Sequence, residues 1–89
     1  MAVVWIPPLL RRLTDGTDKV IAQGRTLRHV LDSLEEFYPG FRDAVLDAGG
    51  DEIQPGLAVI VDGEATQLGL IQPVEEASEI HFIPAISGG

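Results

Sequence analysis

Apolar residues fall along this chain in two different rhythms. Residues 2–6 (AVVWI) form a short β-branched and aromatic run closed by Pro7 and Pro8, which predicts a strand. The stretch TDGTD (residues 14–18) carries an Asp-Gly turn signal, and KVIA (residues 19–22) follows as a second strand. The two strands predict a hairpin, with LLRRL running along its rim. From Thr26 the period lengthens. Leu27, Val30, Leu31, Leu34 and Phe37 recur at helical spacing, while Arg28, His29, Asp32, Glu35 and Glu36 fall on the other face. Thr26 suits an N-cap, Pro39 and Gly40 end the helix, and residues 41–46 offer a further short helical turn.

The second half of the chain returns to strand patterning. DAGGDEIQPG (residues 47–56) is a loop by composition, LAVIV (residues 57–61) a strand, and DGE (residues 62–64) a turn. ATQLGLIQ (residues 65–72) predicts a weaker edge strand followed by a turn at Pro73, and EIHFI (residues 79–83) the last strand. The order β-β-α-β-(β)-β lets one helix cover one face of a sheet, which is an α+β fold of two layers. With the first and last strands side by side in the middle, the chain leaves from the sheet centre. Pro84 has no N–H to donate, so pairing is expected to stop there, giving a domain of residues 1–84 and an arm of residues 85–89.

Composition narrows what such a fold can do. At 89 residues, 45% of them hydrophobic, the chain is one small domain able to bury a single core. The absence of cysteine excludes disulfides, thiolate metal sites, iron–sulfur clusters and a cysteine nucleophile. The net charge of −8 is unevenly placed. All six bases lie between Arg11 and Arg42 beside five acids, whereas residues 43–89 hold nine acids and no base. That balance argues against a nucleic-acid partner and fits a basic docking surface on a partner protein, although acidity alone also promotes solubility. Residues 1–10 are too short and proline-broken for a signal-peptide core, and no apolar run approaches the roughly 20 residues of a membrane span. The expectation is a soluble cytoplasmic protein with no membrane partner.

Candidate chemistry is sparse. Asp32, Ser33 and Leu34 spell the triplet that carries phosphopantetheine in acyl carrier proteins. Here, however, Ser33 falls inside an amphipathic helix and the second half of the chain reads as strands, against an all-helical carrier. His29 and His81 lack partners at metal-ligand spacing and read as surface residues; neither a catalytic residue, a metal nor a cofactor is expected. What remains is Ile86, Ser87, Gly88 and Gly89. Glycine has no Cβ, so such an end can thread a channel too narrow for other residues. The α-carboxylate of Gly89 is unhindered and can be activated inside an enzyme.

These features lie together on segments with a wider likeness. VVWIPPLLRRLTDG, TLRHVLDSLEEFYPGF, LAVIVDGE and ASEIHFIPAISGG resemble the corresponding stretches of the MoaD/ThiS group of ubiquitin-like bacterial sulfur carriers, most of all its CysO type. The resemblance implies a ubiquitin-like β-grasp, with a mixed sheet of four to five strands and one main helix packed on one face. It implies a protein substrate, not an enzyme. An adenylating enzyme of the ubiquitin-activating type joins Gly89 to AMP, a sulfur donor converts the adenylate to a thiocarboxylate, and a biosynthetic enzyme accepts the sulfur. That enzyme would build cysteine, molybdopterin, thiazole or a thiosugar, and a thiocarboxylate-processing metalloprotease is a further implied partner. Gly88, Ser87 and Ile86 would thread the partner's site. The alternative is a ubiquitin-like protein modifier or a plain interaction module; with Lys19 the sole lysine, ubiquitin-style chain building is not expected.

The resemblance also sets the strand register. Val4, Ile6, Val59, Val61, Ile80 and Phe82 should face the helix alongside Leu27, Leu31 and Leu34. Trp5, Ala58, Ile60, His81 and Ile83 then face away and form a partner-binding patch near the root of the arm.

Overall fold

The computed structural model describes residues 1–85. Five strands form one mixed sheet: β1 (Ala2–Trp5), β2 (Lys19–Ala22), β3 (Leu57–Val61), β4 (Glu64–Ala65) and β5 (Glu79–Pro84). Their spatial order is β2-β1-β5-β3-β4. β1 and β5 run parallel at the centre, with Val4 beside Ile80 and Trp5 beside His81, and all other pairs are antiparallel. One face is covered by α1 (Leu27–Phe37) and the shorter α2 (Phe41–Val45). No helix among the described residues is long and apolar enough to cross a membrane.

The alternation in the strands decides which face the helices cover. Val4, Ile6, Val59, Val61, Ile80 and Phe82 are buried, and they meet Leu27, Val30, Leu31 and Leu34 of α1. α1 starts where Thr26 Oγ1 accepts the His29 N–H at 3.3 Å, the expected N-cap. Between β2 and α1 the chain turns at Gly24, where a Cβ would stand 2.6 Å from the Val30 nitrogen; only glycine lets the two elements come so close.

Phe37 departs from the pattern. It is 74% exposed although its spacing places it with the core residues. α1 ends there, and the chain turns through Tyr38–Gly40 so that Phe41 enters the core instead, its ring edge-on to Phe82 at 5.8 Å. Phe37 overhangs the open edge of β2, lining a groove with Met1 and Ile21. Glu35 secures the turn: its carboxylate accepts the Gly40 and Arg42 N–H groups, each at 2.9 Å, at the start of α2.

Two expectations about the later strands change. The weak edge strand over residues 65–72 shrinks to β4, two residues long. Thr66 Oγ1 accepts the Leu68 N–H at 3.3 Å, Gly69 takes φ +59, and Gly69–Ile71 form a 3-10 turn that sends Leu70 into the core. Pairing also runs past the point where Pro84 was expected to end it. Pro84 stands opposite Leu57, and the Ala85 N–H donates to the Gly56 carbonyl at 3.0 Å. Successive N–H groups of a strand point to opposite sides. With Ala85 directed at β3, the Pro84 nitrogen faces the side where β1 has already ended at Trp5, so the ladder loses nothing to the proline.

The β3–β4 hairpin turns through Asp62 (φ 52) and Gly63 (φ 87), the signature of a type I′ turn. Asp62 also binds the start of β5: its carboxylate accepts the Glu79 N–H at 2.9 Å and the Ser78 hydroxyl at 2.7 Å. These two bonds hold its carboxyl below the usual carboxylate range, as the Gly40 and Arg42 N–H groups do for Glu35. A carboxylate with a lowered folded pKa stabilises the fold fully above its unfolded value of roughly 4 and loses that contribution as pH falls through the folded value. The melting temperature should therefore fall between about pH 5 and pH 3 more steeply in the natural protein than in the Glu35→Gln/Asp62→Asn double variant. Thermal melts across that range check this, and equal slopes would contradict it.

Candidate functional site

The face opposite the helices has no covering layer among the described residues. Strand pairing draws one row across it: Lys19, Trp5, His81, Ile60 and Ala65, each aligned with the next on the neighbouring strand. Ile83 and Ala58 stand opposite each other in the adjacent row towards the end of β5. The five residues expected on this face are thus brought together. Trp5, Ala58 and Ile60 are half-buried, whereas His81 is exposed and Ile83 is 44% exposed.

Trp5 organises the row. Its ring stacks on His81 with centroids 5.7 Å apart and planes 8° from parallel, and Lys19 Nζ lies 5.4 Å from its centroid. The indole N–H donates to Glu79 Oε1 at 3.2 Å. Three cross-strand neighbours therefore fix one large aromatic side chain on the open face, where it offers apolar area at low entropic cost. His81 is exposed, as expected, and stacks on Trp5.

The apolar surface is wider than the sequence reading. Val3 and Ile21 pair across β1 and β2 on the same face, Ile21 being 49% exposed. The signal was present in KVIA, whose alternation puts Lys19 and Ile21 outside and Ala22 in the core. Arg11 was also missed. It borders a groove with Trp5, His81 and Ile83, held there by an Nε–H bond to the Ile6 carbonyl at 3.0 Å.

Other candidates fall away from this face. Ser33 sits in mid-helix, and its hydroxyl donates to the Gln23 carbonyl at 2.9 Å, tying α1 to the end of β2; it is not presented at a helix start. His29 is exposed on α1. Among the described residues no group of His, Cys, Asp or Glu is arranged to hold a metal ion. Gly89, Gly88, Ser87 and Ile86 lie outside the described residues. What the structure fixes is their root: β5, at the sheet centre, carries the chain to Ala85 beside Ile83.

Parallel first and last strands flanked by antiparallel neighbours, with one main helix laid across a single face, make a ubiquitin-like β-grasp. The comparisons with known proteins agree on that class and narrow it. The sulfur carrier protein CysO of Mycobacterium tuberculosis is 29% identical over 89 residues, covering 97% of this chain and 96% of that protein. Its crystal structure superposes with a TM-score of 0.91 at 27% identity, over 97% of this chain and all of the other. CysO in the Amycolatopsis orientalis BexX/CysO complex gives 0.89 at 26% identity over the whole of both chains. The small archaeal modifier protein 1 of Methanosarcina acetivorans gives 0.79 at 25% identity, over 99% and 95% of the two chains. The ThiS family model matches residues 4–89, and this chain belongs to the ThiS family. It is a small carrier protein of the CysO-like kind, not an enzyme.

The two sheet faces make opposite demands on substitution. Ile60→Asp and Ile83→Asp on the open face should each cost about 1 kcal/mol, within the range of strand propensity, and leave a cooperative melt. Ile80→Asp, at a position with 0% exposure, buries a carboxylate without a partner and should abolish folding. Circular dichroism melts of the three variants check the register. Unfolding by either open-face variant would contradict it.

Proposed function

We propose that this chain carries sulfur as a thiocarboxylate on Gly89. The observation that carries the reading is that the family match runs through Gly89 while β5, at the sheet centre, carries the chain as far as Ala85 beside an open apolar face. A partner enzyme of the ubiquitin-activating type joins the Gly89 carboxylate to the α-phosphate of ATP and releases pyrophosphate. Hydrosulfide then adds to the activated carbonyl carbon, and AMP departs with the C–O bonding pair while a proton is lost. The product, C(=O)–S⁻, is handed to a biosynthetic enzyme. With no cysteine in the chain, the terminus is the place where sulfur can be held for transfer.

Docking falls to Trp5, Ala58, Ile60, His81 and Ile83, extended by Val3 and Ile21. This contiguous apolar surface lies where a bound enzyme would receive Ile86, Ser87, Gly88 and Gly89 into its own site. The BexX/CysO complex of Amycolatopsis orientalis, in which a CysO is bound to another protein, supports docking by carriers of this kind. The adenylating enzyme, the sulfur acceptor and a thiocarboxylate-processing metalloprotease would meet this surface in turn.

A second reading has a specific observation in its favour. The likeness to small archaeal modifier protein 1 fits attachment of Gly89 to lysines of other proteins. The same adenylate would serve, with a lysine amine in place of sulfide as the attacking group.

The test is incubation with ATP, sulfide and an activating enzyme proved active on another carrier, followed by intact-mass measurement. The expected product is heavier by about 16 Da, one oxygen replaced by sulfur. Deleting Gly89 should abolish the shift while leaving the melting temperature within a few degrees of the natural protein's. An unshifted natural protein, or a shift that survives the deletion, would contradict the proposal. Isopeptide adducts in place of the shift would favour the modifier.

A further inference from the structure

Arg11 is held more firmly than a surface arginine needs to be. Its carbonyl accepts two backbone hydrogen bonds, from the Thr14 N–H at 3.1 Å and the Gly16 N–H at 2.8 Å. Thr14 is itself fully buried, and its hydroxyl is within 2.8 Å of the Thr17 carbonyl. At the other end the Arg11 Nε–H is engaged by the Ile6 carbonyl. Backbone and side chain are thus pinned separately, and the side chain lines the groove shared with Trp5, His81 and Ile83. Its two Nη groups have no hydrogen bond or ion pair among the described residues. Asp18 borders the same groove without forming an ion pair to it. Arg42 shows the contrast, its Nη1 already joined to Asp32 at 2.6 Å.

We propose that Arg11 is the anion receptor of the docking face, taking an Asp or Glu side chain of the activating enzyme in a two-bond fork. The proposal rests on the sulfur-carrier reading and names a contact within it. A guanidinium whose Nε edge is occupied still offers both Nη groups, the geometry that matches a carboxylate. Position favours a protein carboxylate over a nucleotide phosphate. AMP would be joined to Gly89, four residues beyond Ala85, whereas Arg11 lies beside Ile83 at the root. In a chain of net charge −8, this face sets Arg11 and Lys19 against Glu79 and Asp18, and Lys19 already lies over the Trp5 ring. Within this locally balanced surface the open Nη edge of Arg11 is what asks for a carboxylate, even though the whole molecule attracts a basic partner.

The experiment measures pyrophosphate release by the activating enzyme at varied carrier and varied ATP concentration, using Arg11→Ala, Arg11→Lys and, as control, Arg12→Ala. Arg11→Ala should raise the KM for the carrier about tenfold or more with kcat within about twofold, the signature of lost uniform binding. Arg11→Lys should recover part of the loss, and added salt should narrow the gap between natural protein and Arg11→Ala. The KM for ATP and the Arg12→Ala variant should be unchanged. An unchanged carrier KM would overturn the proposal. So would a rise confined to the KM for ATP, which would assign Arg11 to the nucleotide. If Arg11→Ala melts below the assay temperature, Arg11→Gln, which keeps an N–H donor for Ile6, decides by the same carrier KM. If the natural protein releases no pyrophosphate with an enzyme active on another carrier, the sulfur-carrier reading falls and this contact with it. A normal natural protein with a normal Arg11 variant removes only the contact.

Discussion

The parallel pairing of β1 with β5 is the constraint on which the rest of the structure depends. It joins the two ends of the described chain at the middle of the sheet, Val4 beside Ile80 and Trp5 beside His81. Parallel neighbours cannot be linked by a tight turn, so everything between them must form a crossover. α1 supplies the layer that buries the inner face of that crossover. β3 then has only the far side of β5 left to pair with, and β2 only the far side of β1. One pairing places both hairpins, the helix and the exit of the chain.

The same pairing accounts for the division of labour between faces. Side chains of central strands alternate, and a single main helix can cover only one set of them. The inner set becomes the core, with Ile80 and Val4 wholly excluded from water. The outer set stays open but is not polar: Trp5, Ile60 and Ile83 are spaced across three adjacent strands. In a domain this small, leaving that area uncovered gives up stability that a second layer would have supplied. In the proposed carrier role, that arrangement supplies the surface on which partner enzymes would dock.

Much of this was legible in the residues. Helical spacing from Leu27 to Leu34 and the Thr26 cap specify α1, and LAVIV and EIHFI could be read as strands from composition alone. Their near-continuous apolar character signalled a sheet with hydrophobic residues on both faces, but not which residue faced which way. The family likeness supplied the register. Three features were not legible, each because it depends on distant contacts. Phe37 fits the helical stripe but is displaced by Phe41, which reaches the core only after a turn capped by Glu35. Residues 65–72 have strand-like content, yet the Thr66 turn and Gly69 break them after two paired residues. Pro84 looked like a stop, and only the β3 register shows its nitrogen facing away from the ladder. Arg11 was invisible for a similar reason, since the carbonyl of Ile6 and the Thr14 turn that fix it are seen only in three dimensions.

The central claim is that one sheet face both meets the partner and delivers the chain to it. The direct test is a titration of isotopically labelled protein with the activating enzyme, followed by backbone amide and Trp5 indole NMR signals. The account predicts shifts or broadening clustered at Val3, Trp5, Ile60, His81, Ile83 and Ala85, with the exposed side of α1 around His29 and Glu36 unaffected. Perturbation centred on α1, with the Trp5 indole unmoved, would contradict it.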